Sequence, residues 1–275
     1  MRSRTFSFEF FPPQTPEGIE KLRVTRKQLV QLKPAFFSVT FGAGGSTRER
    51  TMGTVLEIQA QGHQAAPHVS CIASTKTSVR EILQRYKDAG IKRVVALRGD
   101  MPSGMVDPGE FRYANELVSF IRREFPAVGI AVAGYPETHQ EATSPDADLA
   151  NLKRKVDAGA DVVITQLFYN NDDFFRFRDR CRAAGVSVPI VPGLLPVTNL
   201  AQIQRIASLC GARLPDDFVA QLQQYADDDK GQFEVGVEFA ARQAAELLAA
   251  EVPGMHFYVL NKSEATKRVL TALRR

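Results

Sequence analysis

Short runs of β-branched and aromatic residues alternate with longer amphipathic stretches along nearly the whole chain. An apolar run bounded by turn residues reads as a strand, and a longer stretch with apolar positions at helical spacing reads as the helix that covers it. The pattern predicts strands over Thr5 to Phe11, Ala35 to Phe41, Ala65 to Cys71, Arg93 to Leu97, Ile130 to Tyr135, Val162 to Phe168, Val188 to Val191 and His256 to Val259. Between them it predicts helices over Glu17 to Leu32, Thr47 to Gln61, Ser78 to Ala89, Tyr113 to Phe125, Asp146 to Ala158 and Asp172 to Ala184. Three of these run into the glycine that favours a helix C-terminus, in Asp88-Ala89-Gly90, Asp157-Ala158-Gly159 and Ala183-Ala184-Gly185. Extra helical stretches around Thr198 to Cys210, Pro215 to Asp227 and Phe233 to Glu251 precede the last strand. The repeating unit is βα. About eight such units in about 250 residues suit a (β/α)8 TIM barrel, whereas a doubly wound sheet usually needs fewer strands.

A barrel of this kind gathers reactive groups on the strand ends and loops of its C-terminal mouth. At or just past successive strand ends stand Glu9, Thr40, His68, Arg98-Gly99-Asp100, Tyr135 with Glu137 and His139, Gln166, and Asn261-Lys262. Each alone also reads as a cap or turn residue; their recurrence at one end of unit after unit points to a site. Glu9 sits in the aromatic run Ser7-Phe8-Glu9-Phe10-Phe11-Pro12-Pro13. A carboxylate buried among rings favours its protonated form, so Glu9 is expected to hold a proton near neutral pH and is a candidate general acid. The same residue also reads as a Glu on the solvent face of an edge strand.

Composition narrows the class. The 275 residues are 44% hydrophobic and 24% charged, enough for one large core in one domain over residues 1 to 275. No apolar run reaches the length of a membrane span, and Met1-Arg2-Ser3-Arg4 leads straight into a strand without a signal-peptide apolar region, so a cytoplasmic protein is expected. The net charge of +4 is mild and its cations are spread along helical faces, which argues against nucleic acid as a partner. Cys71, Cys181 and Cys210 are odd in number and lack CxxC spacing, so they read as reduced, mostly buried thiols. Asp227-Asp228-Asp229 reads as a solvated turn between helices.

Several residues suggest a phosphorylated ligand. Gly99 permits close backbone approach, and Arg98 offers a bidentate fork for phosphate. Asn151, Arg154 and Lys155 recur at helical spacing, so one helix face can aim an amide and two cations at the same phosphates, or simply be a solvated face. Gly42-Ala43-Gly44-Gly45-Ser46 reads as a flexible mouth loop matching neither GxGxxG nor GxxxxGK[ST]. His68, His139, Glu137 and Asp100 are metal-ligand types, but no HxH or HExxH spacing supports a metal.

The runs Ser7-Phe-Glu-Phe-Phe-Pro-Pro13, Ala66-Pro-His68, Ala96-Leu-Arg-Gly-Asp100, Tyr135-Pro-Glu-Thr-His139, Asn151-Leu-Lys-Arg-Lys155, Ile164-Thr-Gln166, Pro192-Gly-Leu-Leu-Pro196 and His256-Phe-Tyr-Val-Leu-Asn261 stand in the order and spacing of one family. On these, nearly the whole chain resembles the bacterial methylenetetrahydrofolate reductases. The resemblance implies a flavoprotein barrel that oxidises NADH or NADPH, holds the hydride on tightly bound FAD, and passes it to 5,10-methylenetetrahydrofolate, giving 5-methyltetrahydrofolate for methionine synthesis. It implies that Glu9 is the general acid that opens the imidazolidine ring and that Asp100 stabilises the resulting 5-iminium cation. It implies substrate contacts from Gln166, Gln202, Ile206 and Lys262, and FAD contacts from Thr40, His68, Arg98, Gly99, Asp100, Ala114, Tyr135, His139, Ala142, Asp148, Asn151, Arg154 and Lys155. A homo-oligomer is implied as well, and the regulatory domain of eukaryotic relatives is not expected.

Two positions depart from the family pattern. Ile206 stands where some bacterial members carry a Phe that stacks on folate and nicotinamide, and Lys262 stands where an Arg meets folate. The first keeps apolar contact without ring stacking, and the second keeps charge without the bidentate fork. Two other classes compete with the reductase: a metal-dependent barrel lyase or hydrolase using His68 and His139, and a barrel that binds flavin or folate without turnover.

Overall fold

Alternation along β1 (Thr5–Phe10) sends Phe6, Phe8 and Phe10 to one face and Ser7 and Glu9 to the other, and that division organises the molecule. The computed structural model describes residues 4–41, 47–99 and 109–273. Strand β1 is followed in chain order by β2 (Phe36–Val39), β3 (Ala65–Ser70), β4 (Arg93–Leu97), β5 (Gly129–Gly134), β6 (Val162–Leu167), β7 (Ile190–Leu194) and β8 (Gly254–Tyr258). These pair in parallel and close into a barrel, β1 lying between β2 and β8.

Helices fill the crossovers: α1 (Pro16–Val30), α2 (Arg48–Ala60), α3 (Lys76–Asp88), α4 (Ala114–Glu124), α5 (Pro145–Asp157) and α6 (Asn171–Ala183). Then come α7 (Leu200–Cys210), α8 (Asp216–Gln223) and α9 (Asp229–Ala249) before β8, and α10 (Glu264–Ala272) after it. Local chemistry sets the starts. Thr15, Ser144 and Asn170 cap α1, α5 and α6 by accepting backbone N–H groups, and Thr75 with Ser78 forms a capping box on α3. Phe8 and Phe10 face outward into the main core, where Leu22 and Leu29 of α1 meet them. A second core beneath the extra helices joins Leu167, Tyr169 and Leu195 to Ile203, Phe218 and Leu222. Among the described residues no helix is long and apolar enough to cross a membrane.

Predicted and observed boundaries agree within two residues except at β7, α8 and α9. The strand predicted over Val188 to Val191 runs instead from Ile190 to Leu194, through Pro192 and Gly193. A register shift between Ile164 and Leu167 frees ladder groups there. Thr165 Oγ1 accepts the Gly193 N–H at 2.9 Å, and Gln166 Oε1 accepts the Leu167 N–H at 2.9 Å. The bulge thus lets a Pro-Gly pair continue a strand that it would ordinarily end. Helix α8 stops at Gln223, and α9 starts early because Asp228 caps it, accepting from the Lys230 N–H at 3.0 Å.

Candidate active site

Glu9 points into the barrel, away from the aromatic side chains that flank it in sequence. Its Oε2 accepts from Ser38 Oγ at 3.2 Å and lies 3.3 Å from His256 Nε2 and 3.1 Å from His68 Nε2. The His68 nitrogen lacks the alignment of a hydrogen bond, so that contact is electrostatic. The expectation of a carboxyl kept neutral by surrounding rings is corrected here. Burial pushes Glu9 upward, but the charges of His68 and His256 and the hydrogen bond with His256 outweigh it and hold the carboxyl well below its usual range. The rings Phe8 and Phe10 lie on the opposite face of the strand, a consequence of the two-residue period.

Glu9 opens onto a cavity of about 460 Å³ at the barrel mouth, which Thr40, His68, Gly99, Gln166 and Ile206 also line. A second lobe of about 500 Å³ contains Ala114, Ala142, Asp148, Asn151, Arg154 and Lys155. Arg98, Tyr135 and His139 line both, so the two lobes adjoin. Gly99 stands between strand end and cavity at φ +83°, where a Cβ would come 2.3 Å from Ser70 Oγ. Only glycine fits that backbone.

The second lobe is cationic and tightly braced. Lys155 donates to the Ala133 carbonyl at 2.6 Å and sits 5.9 Å from the Tyr135 ring centre. Burial lowers its ammonium to about 8, with Asp148 pulling weakly the other way. Arg154 donates to Asn151 Oδ1 at 2.6 Å, and Arg98 pairs with Glu141 at 2.5 Å. Asp148 accepts the His139 N–H at 2.9 Å, and the Tyr135 and His139 rings meet edge to face at 4.6 Å.

Asp100 and the Gly42 to Ser46 loop lie outside the described residues. Gln202 and Lys262 are exposed and do not line the cavity; Gln202 stands one turn before Ile206 on α7. Asn261 exchanges two 2.9 Å hydrogen bonds with the Phe11 backbone, tying the end of β8 to β1. Glu137 turns away from His139 to accept from the Arg213 N–H and Nε, both at 3.0 Å, while the same guanidinium reaches Asp173 at 3.2 Å. With Gln140 donating to the Ser208 carbonyl at 2.9 Å, this fastens α7 to the loop that carries Tyr135 and His139. No group of three or more His, Cys, Asp or Glu able to hold a metal occurs among the described residues.

Sequence reasoning passed over Ser7, Ser38, His256 and Tyr258. The available signal was parity: Ser7 and Glu9, and likewise His256 and Tyr258, are two apart on neighbouring strands and share an inward face.

The family description "Methylenetetrahydrofolate reductase" matches residues 1–274. The chain is 43% identical over 269 residues to the 5,10-methylenetetrahydrofolate reductase of Escherichia coli K12, covering 97% of this chain and 90% of that one. It is 42% identical over 268 residues to the enzyme of that name from Pectobacterium carotovorum, covering 97% and 89%. Against methylenetetrahydrofolate reductase (NADH) 1 of Arabidopsis thaliana it is 37% identical over 283 residues, covering 98% of this chain and 48% of the plant protein. Among solved structures, a Clostridium thermocellum protein described as binding two copies of 5-methyl-5,6,7,8-tetrahydrofolic acid superposes with TM-score 0.67 at 13% identity, covering 99% of this chain and 95% of that one, a likeness of fold.

Proposed function

The chain belongs to the methylenetetrahydrofolate reductase family and is an enzyme of 5,10-methylenetetrahydrofolate reduction, and from that premise we propose that it works through FAD, reduced by NADH or NADPH in one half-reaction and by turns oxidised by the folate in the other. The product is 5-methyltetrahydrofolate, a methyl donor for methionine synthesis. The observation that carries this reading is the adjacency of two unlike lobes, one cationic and one ending at a largely buried carboxylate. A dinucleotide has the same division: an anionic pyrophosphate end and a flat ring end.

The residues present fit the group. Arg98, Arg154 and Lys155 would hold the pyrophosphate, and Lys155, which pairs directly with no carboxylate among the described residues, favours an incoming anion. Gly99 and the otherwise unaligned His68 nitrogen suit close approach at the ring end. When bound, FAD supplies a two-electron carrier that accepts hydride from nicotinamide and gives it up to the folate.

The chain's own residues do the remaining work. Glu9 delivers a proton to the folate ring nitrogen whose bond to the bridging carbon breaks, and Asp100 stabilises the iminium charge so formed. Gln166 contacts the pterin, and Ile206 closes the apolar wall. We likewise propose a cytosolic homo-oligomer, which light scattering checks; a monomer mass would overturn the oligomer.

An anaerobic absorbance experiment tests the function. The purified protein should be yellow, bleach on adding NADH or NADPH and recover on adding 5,10-methylenetetrahydrofolate. Glu9→Gln should still bleach but recover at least about a hundredfold more slowly, since only the second half-reaction needs the proton. A colourless protein that does not take up FAD ends the flavin reading.

A further inference from the structure

We propose that His256 holds the proton that Glu9 delivers, so that Ser7, His256 and Glu9 act in series as the acid of the reaction; this rests on the role given to Glu9 above. His256 lies on β8 directly opposite Ser7 on β1. Its Nε2 is 3.3 Å from Glu9 Oε2 and its Nδ1 is 2.7 Å from Ser7 Oγ.

The kind of partner at each nitrogen carries the inference. A backbone carbonyl can only accept, so an imidazole held by one is fixed with a proton on that nitrogen. A hydroxyl donates to a neutral Nδ1 and accepts from a protonated one simply by rotating its hydrogen. The carboxylate on the other side accepts from Nε2–H in both states. This site therefore hosts imidazole and imidazolium alike, leaving neither buried nitrogen unpaired.

Among the described residues the groups that face the ring are apolar or already engaged. Phe36 of β2 stacks on the His256 ring at 6.1 Å, and Tyr258 meets it edge-on at 5.2 Å, its hydroxyl donating to the Thr165 carbonyl at 2.7 Å. The Arg93 guanidinium of β4 lies over the Phe36 ring, 5.1 Å from its centre. Ser38 of β2 and His68 of β3 approach Glu9, and β7 contributes Gly193 by pairing. His256 is 1% exposed and does not line the cavity, so its route to a substrate runs through Glu9. His68 lines the cavity and has no aligned partner on Nε2, the arrangement of a ligand contact.

The step balances. A proton leaves imidazolium Nε2 for the Glu9 carboxylate, and the acid so formed passes it to the substrate nitrogen as that nitrogen's bond to the bridging carbon breaks. A neutral imidazole and a carboxylate remain, and water restores the proton when the cavity empties. His256 is thus a positioning residue, acting through Glu9.

The test compares wild type with His256→Gln. If the wild type bleaches but its colour is not restored by the folate, the functional reading fails and not this inference. Given wild-type recovery, His256→Gln should bleach at the wild-type rate, recover about tenfold or more slowly near neutral pH, and show an altered pH profile of recovery. A second readout needs no turnover. Infrared difference spectra of the flavin-free proteins, each against its Glu9→Gln counterpart and followed over pH, should show the Glu9 carboxylate taking up a proton at higher pH in His256→Gln than in wild type, because one imidazole fewer leaves burial less opposed. Should His256→Gln not fold, Ser7→Ala removes only the hydroxyl and should slow recovery about fivefold with the same change of pH profile. Unchanged recovery with an unchanged profile, or a Glu9 that protonates at the same pH with and without His256, overturns the proposal.

Discussion

Two ionisable side chains face the joined cavity from opposite ends, and burial acts on both in the direction of neutrality. Glu9 resists because two imidazoles stand within 3.3 Å of one of its oxygens. Among the described residues Lys155 has a carbonyl, the Tyr135 ring and the more distant Asp148 to set against burial, so its ammonium falls to about 8 from the ordinary 10.5. The sign of the consequence follows from proton counting. Between those two values the unfolded chain keeps the Lys155 proton while the folded chain has lost it, so stability rises with pH across that window. The full span is worth about 3 kcal/mol. Denaturant unfolding of flavin-free protein should therefore show wild type gaining on Lys155→Met by up to about 3 kcal/mol between pH 8 and 10.5. Parallel curves would mean that the ammonium is solvated. Bound pyrophosphate should abolish the effect by restoring an anion beside the amine.

At the scale of elements, the bulge in β6 and the Pro-Gly step in β7 form one device. Thr165 and Gln166 use their side chains to accept N–H groups that the shifted ladder leaves over, and Gln166 is thereby turned toward the cavity. Gly193 lets Tyr258 and the β6 backbone approach. A Cβ there would come 2.2 Å from the Thr165 carbonyl oxygen and 2.7 Å from the Tyr258 ring. Gly193→Ala should cost about 2–3 kcal/mol in a urea melt, since neither the backbone oxygen nor the packed ring can retreat freely. A loss under about half a kcal/mol would show that β7 can slide without strain. None of this was readable from the chain's pattern, where Pro192-Gly193 looked like the end of a strand. The barrel continues through it because closure requires β7 to pair on both edges, and local turn propensity yields to that requirement.

For the molecule as a whole, binding one elongated anion across both lobes should be visible as stability. Saturation at about a hundred times the dissociation constant adds about 2.7 kcal/mol, which for a chain of this size raises the melting temperature by about 5–10 °C. Added FAD should produce that rise in wild type and little of it in an Arg154→Ala, Lys155→Ala double variant, measured by thermal unfolding with and without FAD. Equal rises in both would remove these two cations from the phosphate site. The order of strands and helices, the barrel and the family were legible in the sequence because hydrophobic period and capping residues act over a few neighbours. The mouth was legible too, since the end of each strand names residues that face it, and Glu9, His68, Arg98 and Gln166 all meet the cavity, as does Lys155 from the face of α5. What only the tertiary structure decided is the company each residue keeps. Glu9 and His256 are 247 positions apart, and a carboxyl's charge depends on distance through space, so its ionised state came into view only when closing the barrel brought the first strand against the last.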